Sequence, residues 1–166
     1  MNRQRFRKKN FIFLFSTFLL CFVALSWAQA SPKALVDLNV NSHLDVGVLD
    51  VETKILKNLT NTPNESEIGL DWSPDGRKIL LLSAVQGRPD QLEVMNADST
   101  GRRALDFIKP GEFVWYADWS PSGRRLVLVL KRDDNVDIYT ARPGGGDLQR
   151  LTEHPADDTA PEWSPD

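Results

Sequence analysis

Asp133, Asn135 and Asp137 come nearest to a chemical site in spacing, because they offer alternate oxygen donors as a calcium loop does. The pattern then fails. Ile138 stands where the loop needs glycine, and Gly144 where a bidentate glutamate should close the shell. A hairpin turn is the better account of these residues. The two histidines, His43 and His154, fall in expected loops or at a strand edge, without a cysteine or second histidine at ligand spacing. No G-x-S-x-G, H-E-x-x-H or G-x-x-x-x-G-K-[ST] occurs. Gly144-Gly145-Gly146 follows Pro143 in a hairpin loop and opens no helix. Ser73-Pro74-Asp75-Gly76 begins like an aspartate box, but Ile79 and Leu80 stand where an aromatic residue is required. The neighbouring acids Asp157 and Asp158 are left as the one speculative contact for a cation or partner at a rim. The residues therefore imply no catalytic set, no metal site and no cofactor.

Charge narrows the function classes further. Residues 1–10 carry five basic groups and no acid, and the next twenty carry no charge. Fifteen basic groups then face 23 acids in the rest, a net charge of −8. So acidic a body is a poor binder of phosphate backbones, so no nucleic acid partner is expected. The single cysteine, Cys21, lies in the uncharged stretch, which excludes disulfides and thiolate metal sites beyond it. Two N-x-[ST] sequons, at Asn58 and Asn64, matter only in a host that glycosylates.

Residues 1–30 have the layout of a secretory signal peptide. A basic end precedes the apolar run 11–28, and Ala28-Gln29-Ala30 places small residues before a cut at Ser31. The alternative is an uncleaved anchor, since eighteen residues make about 27 Å of helix, enough to cross a bilayer core. Either way residues 31–166 are expected outside the cytoplasm, periplasmic or secreted. Membrane contact would come only through 11–28, if uncleaved.

The exported part repeats. Trp72-Ser73-Pro74-Asp75-Gly76, Trp119-Ser120-Pro121-Ser122-Gly123 and Trp163-Ser164-Pro165-Asp166 share the string W-S-P, with tryptophans 47 and 44 residues apart. An acid precedes each: Asp71, Asp118 and Glu162. Val46, Leu92 and Ile138 each lie thirteen residues before Leu59, Leu105 and Leu151. Landmarks in such register define one supersecondary unit of about 45 residues.

Within a unit the chemistry predicts four short strands. Ile68–Trp72 leads into a turn in which proline presets φ and glycine accepts the positive φ that follows. Lys78–Leu82 is an apolar run of strand length, buried on both faces. Leu92–Met95 and Arg103–Leu105 complete the unit, separated by the loop Asn96–Gly101. The next unit repeats this with Val114–Trp119, Leu126–Leu130, Asp137–Thr140 and Arg150–Thr152. Four antiparallel strands per repeat describe a β-propeller blade. A blade must stack on its neighbours to bury both faces, and a tryptophan at a fixed place supplies the wedge. The expected fold is all-β: an open, partial propeller of two complete four-stranded blades plus flanking partial blades. It follows a signal helix (1–30) and a short linker (31–43), and occupies 44–166. Trp72, Pro74, Gly76, Trp119, Pro121, Gly123, Trp163 and Pro165 are its structural repeat positions.

The repeat W-S-P-D-G-R-K-I-x-x-x-S, followed by N-A-D-S-T-G-R-R-x-L, resembles the TolB-type propeller repeat over roughly residues 44–166, and WD-type blades more distantly. The resemblance implies a non-catalytic partner of envelope or extracellular proteins. Related propellers also accompany prolyl-oligopeptidase-type peptidases and occur in some sugar-acid lyases. The family's separate leading α/β domain has no counterpart here, and the family's rings have more blades. The expected protein is therefore an amino-terminal fragment whose open blade edges favour self-association. The alternative is the front of a longer peptidase or lyase whose chemistry lies beyond residue 166.

Overall fold

The computed structural model describes residues 31–165. The expected signal helix, and Asp166, lie outside the described residues. From Ser31 onward the chain forms one compact unit of eleven strands in three antiparallel sheets, with no helix among the described residues. Blade 1 holds β1 (Lys33–Val40), β2 (His43–Asp50) and β3 (Leu56–Asn58), in the order β1-β2-β3. Blade 2 holds β4 (Glu65–Trp72), β5 (Lys78–Val85), β6 (Gln91–Asn96) and β7 (Arg103–Ala104). Blade 3 holds β8 (Phe113–Trp119), β9 (Leu126–Arg132), β10 (Asn135–Ala141) and β11 (Gln149–Arg150). Neither complete sheet departs from sequence order, and no sheet closes on itself. The array is an open, partial propeller.

The landmark residues occupy equivalent backbone positions. Leu59, Leu105 and Leu151 each donate an N–H to the carbonyl of Val46, Leu92 and Ile138, all at 2.8 Å. The Ser-Pro turns are also superposable in their bonding. Ser73 N–H donates to Lys78 O and Ser120 N–H to Arg125 O, both at 2.9 Å. The serine hydroxyls in turn accept from the N–H groups of Lys78 (2.8 Å) and Arg125 (3.0 Å). Gly76 and Gly123 follow with φ of 67° and 69°, the left-handed conformation that favours glycine. Asp133 and Asp134, at φ 58° and 74°, form the two-residue hairpin turn between β9 and β10, so no calcium loop forms there.

One expectation fails. Residues 31–43, read as linker, contain β1, which pairs along its whole length with β2 from Lys33↔Asp50 to Val40↔His43. The physical reason lies in the chain itself. Val36-Asp37-Leu38-Asn39-Val40 alternates in character, and Asn41-Ser42, both at positive φ, makes the tight turn into β2. Blade 1 is thus three strands. Leu35 on β1 lies against Gly69 of β4, where a Cβ would come within 2.6 Å of Leu35 Cδ2.

Period-two alternation gives the apolar strands two buried faces. Ile79 and Leu81 pack with Val46, Val48, Leu59, Met95 and the partly buried Trp72, filling the seam between blades 1 and 2. Leu80, with Leu82 partly buried beside it, faces the other way. It packs with Trp119, Leu126, Leu128 and Leu130 in the seam between blades 2 and 3. Trp72 and Trp119 are therefore equivalent wedges in successive seams. The indole N–H of each is enclosed without an acceptor, so the rings contribute shape rather than a hydrogen bond.

Trp119→Ala is expected to lower the unfolding free energy by about 3–5 kcal/mol. Trp115→Ala, on the same strand but 56% exposed, is expected to change it by no more than about 0.5 kcal/mol. Denaturant unfolding of the two variants checks the contrast, and equal losses would contradict the wedge.

Candidate functional site

Three constellations gather polar groups, the first within a blade and the other two on seams between blades. The first centres on Arg102, in the turn before β7. Its Nε donates to Glu93 Oε2 at 2.5 Å, Nη1 to Glu67 Oε1 at 2.9 Å and Nη2 to Glu65 Oε2 at 2.9 Å. Burial opposes the guanidinium's charge, but Glu93 and Glu67 more than offset it and hold the group above its ordinary value. Glu67 is fully buried. Its Oε1 also accepts from Thr62 Oγ1, whereas Oε2 has no partner. The corresponding pair in blade 3 is Arg132 Nε to Glu112 Oε1 at 2.5 Å, with the Arg132 guanidinium over the Tyr139 ring. These are structural ion pairs that fix the strand ends.

The second constellation lies where β4 meets β8. Asp71 Oδ1 accepts from Trp72 N–H at 2.7 Å and Asp71 Oδ2 from Trp119 N–H at 2.9 Å, so one carboxylate joins blade 2 to blade 3. Asp118 stands beside it. Burial, and then the hydrogen bond with Asp118, push the Asp71 carboxyl up to about 7. Burial and the charges of Asp118, Asp71 and Glu162 likewise raise Tyr116. The acids before the tryptophans thus act together at one seam.

The third feature is a pair of equivalent grooves. One, of about 570 Å³, is lined by Pro74, Lys78, Arg103, Trp119 and Pro143 between blades 2 and 3. The other, of about 600 Å³, is lined by Lys33, Lys57, Trp72 and Asp98 between blades 1 and 2. Arg103 spans the first groove, donating to Pro143 O at 3.0 Å and Gly144 O at 3.3 Å. Pro74 of one turn comes within 3.7 Å of the Cβ position of Gly123 in the next.

Of the repeat positions, Trp72 and Trp119 are wedges, while Pro74, Gly76, Pro121 and Gly123 form the turns at one end of the blades. Trp163 is half-buried with its indole N–H enclosed, and Pro165 is exposed. Asp157 and Asp158 are not brought to these features. Asp157 is exposed, and Asp158 uses its N–H on Val136 O at 2.8 Å, beside the β9–β10 turn at the opposite blade end from Ser120. His154 is exposed and accepts Ala156 N–H through Nδ1. Among the described residues, no group of three or more histidine, cysteine or acidic side chains is arranged to hold a metal. The Arg102 network had no signal in spacing, because its members lie 9 to 37 residues from the arginine. The acid preceding each tryptophan was a readable signal for the Asp71 site.

Arranged this way, the sheets are blades of an open β-propeller, similar in fold to the propeller of TolB proteins. A solved structure of a protein assigned as TolB from Agrobacterium tumefaciens matches 72% of the chain and 45% of its own length, at a TM-score of 0.63 and 22% identity. TolB from Acinetobacter baumannii matches 76% of the chain and 31% of its own, at 0.62 and 20%. A puromycin hydrolase matches 80% of the chain and 23% of its own, at 0.57 and 18%. The chain spans less than half the length of each. No protein-family model matches the sequence.

Arg102→Met is expected to cost about 3–5 kcal/mol, because it leaves Glu67 without its counter-ion in a fully buried place. Adding Glu67→Gln should recover part of that loss. Denaturant midpoints of the single and double variants test this, and an additive double loss would contradict it.

Proposed function

We propose that this chain is an exported, non-catalytic propeller scaffold that binds proteins of the cell envelope. The observation that carries the proposal is the placement of exposed apolar side chains. Val51, Ile55 and Leu56 belong to blade 1, and Phe113, Trp115, Tyr116 and Leu151 to blade 3. Among the described residues, only Ile68 represents the middle blade. Exposed aromatic and aliphatic groups gathered at the outer blades suit protein contacts, and aromatic anchors dominate such contacts energetically. The basic, apolar and A-x-A order of residues 1–30 supports export to the periplasm or beyond. The likeness in fold to TolB over about three-quarters of the chain is in keeping with this reading. A second copy of the chain is an alternative occupant of the same outer faces.

A second reading, the propeller portion of a longer peptidase, is favoured by the likeness to puromycin hydrolase. Several measurements on the full chain separate these readings. The mature amino terminus is expected at Ser31. A photo-crosslinker placed at Trp115 should give a discrete adduct with an envelope protein. An adduct of twice the chain's own mass would identify self-association instead. Incubation with peptide and ester substrates is expected to show no turnover. Reproducible turnover abolished by a point change in this chain would overturn the non-catalytic reading.

A further inference from the structure

We propose that two copies of this chain close into a ring by exchanging a strand: residues 157–163 of each copy pair with β1 of the other and supply the strand that blade 1 lacks. Register identifies what is missing. Val46, Leu92 and Ile138 accept the same backbone bond, so β2 corresponds to β6 and β10. The pair Ala34↔Leu49 then matches Ile79↔Met95, which makes β1 the counterpart of β5. Among the described residues, blade 1 has no counterpart of β4 or β8. A strand of its own would have to precede β1, in residues before Ser31 that cleavage on export removes. The inference rests on that part of the proposed function.

The other end of the array shows the complementary gap. Trp163 holds the place of Trp72 and Trp119, and its indole N–H is already enclosed. Among the described residues, the stretch before it pairs with no strand. Leu59 and Leu105 are 7% and 3% exposed, because the following blade covers each. Leu151, at the same position, is 56% exposed. The third seam therefore has its wedge and lacks the rest of its cover. In the seam between blades 1 and 2 that cover is Ile79, Leu81 and Met95, packed on Leu59. Their counterparts in blade 1 are Ala34, Val36 and Leu49, an apolar set on the face opposite Leu35 and Val46. Trp115 matches Ile68, which stays exposed between two built seams, so the aromatic contact proposed above lies outside this joint.

The two edges also match in backbone. Val51 N–H donates to Pro32 O, so alternate residues from Pro32 onward bond β2. Leu35, Asp37 and Asn39 therefore turn their N–H and C=O groups to the open edge. In blades 2 and 3 the strand ending in tryptophan meets its neighbour in one register at both ends. The pairs are Glu67↔Ser83 and Trp72↔Ile79, then Val114↔Leu130 and Trp119↔Leu126. Carried to the third unit, that register sets Asp158 opposite Leu38 and Trp163 opposite Ala34. Both β4 and β8 are bulged between these pairs. A bulge there accommodates Pro161, which has no N–H to pair, and Ala160, at φ 55°. Two chains of three sheets each, joined at both ends, make a ring of six, within the usual range of closed propellers.

The full chain as the cell processes it, purified in neutral detergent, tests the pairing. Sedimentation is expected to give twice the mass of one chain, and a single-chain mass overturns the proposal. Leu151→Asp puts a charge where the joint buries it and a lone chain exposes it. It should weaken pairing at least about tenfold and leave the circular dichroism unchanged. Mass spectrometry of the same preparation reads the amino terminus separately. A doubled mass in a chain that keeps residues 1–30 overturns export and leaves the pairing standing. Introduced cysteines test the register, since the one native cysteine is Cys21. Leu38→Cys with Asp158→Cys should yield a pair of chains closed by two disulfides. Asn39→Cys with Asp158→Cys should not, because a shift of one residue turns the side chain to the other face. Equal linking in both variants, or a ladder of longer chains in place of a pair, overturns the exchange.

Discussion

A strand that is apolar on both faces needs a cover on both sides. β5 shows the constraint most clearly. Ile79 and Leu81 enter the seam with blade 1, and Leu80 and Leu82 enter the seam with blade 3. No single four-stranded sheet can satisfy such a sequence alone, because its opposite faces would both lie in water. The tryptophans follow from this need. A flat sheet pressed on another leaves a wedge-shaped gap, and an indole at the end of each inner strand fills it. The polar architecture is subordinate, since the Ser-Pro turns, Arg103 and Asp71 all fix how one sheet lies on the next.

The repeat was legible because it is covalent and local. The Ser-Pro turn closes through bonds between residues five apart, and its glycine must accept a positive φ, so the chemistry is written in consecutive letters. The Leu-to-Val register was legible because one backbone hydrogen bond recurs at a fixed offset. β1 was less visible. It precedes the first recognisable landmark, and its partner Gly69 marks the contact by lacking a side chain. The Arg102 network was not legible at all. It draws Glu65, Glu67 and Glu93 from two strands of blade 2, and only the folded sheet brings them to one guanidinium. Spacing reports neighbours along the chain, whereas buried ion pairs report neighbours across it. The loop acids Asp157 and Asp158 illustrate the converse. They are conspicuous as consecutive letters, yet the fold gives them no common partner.

Electrostatics among the buried acids takes two opposite forms. Within blade 2, Glu67 is paired with a guanidinium that three carboxylates share. Near Asp71 no cation forms an ion pair among the described residues, and burial moves the carboxyl toward its neutral form. Both solve the same problem, the cost of keeping charge away from water, one by pairing and the other by protonation. Buried acids on one repeating backbone plan can therefore respond differently to their surroundings.

The wedge, the turn and the Asp71 carboxylate each join a sheet to its immediate successor. Landmark positions recur every 46 residues, at 59, 105 and 151, each closing the same backbone hydrogen bond within its own unit. Stability in such an array grows by increments, one interface at a time. Duplicating or deleting one whole module leaves the remaining joints chemically unaltered. The fold is in this sense a counting system, in which gene duplication alone can change the number of sheets while every local rule stays the same.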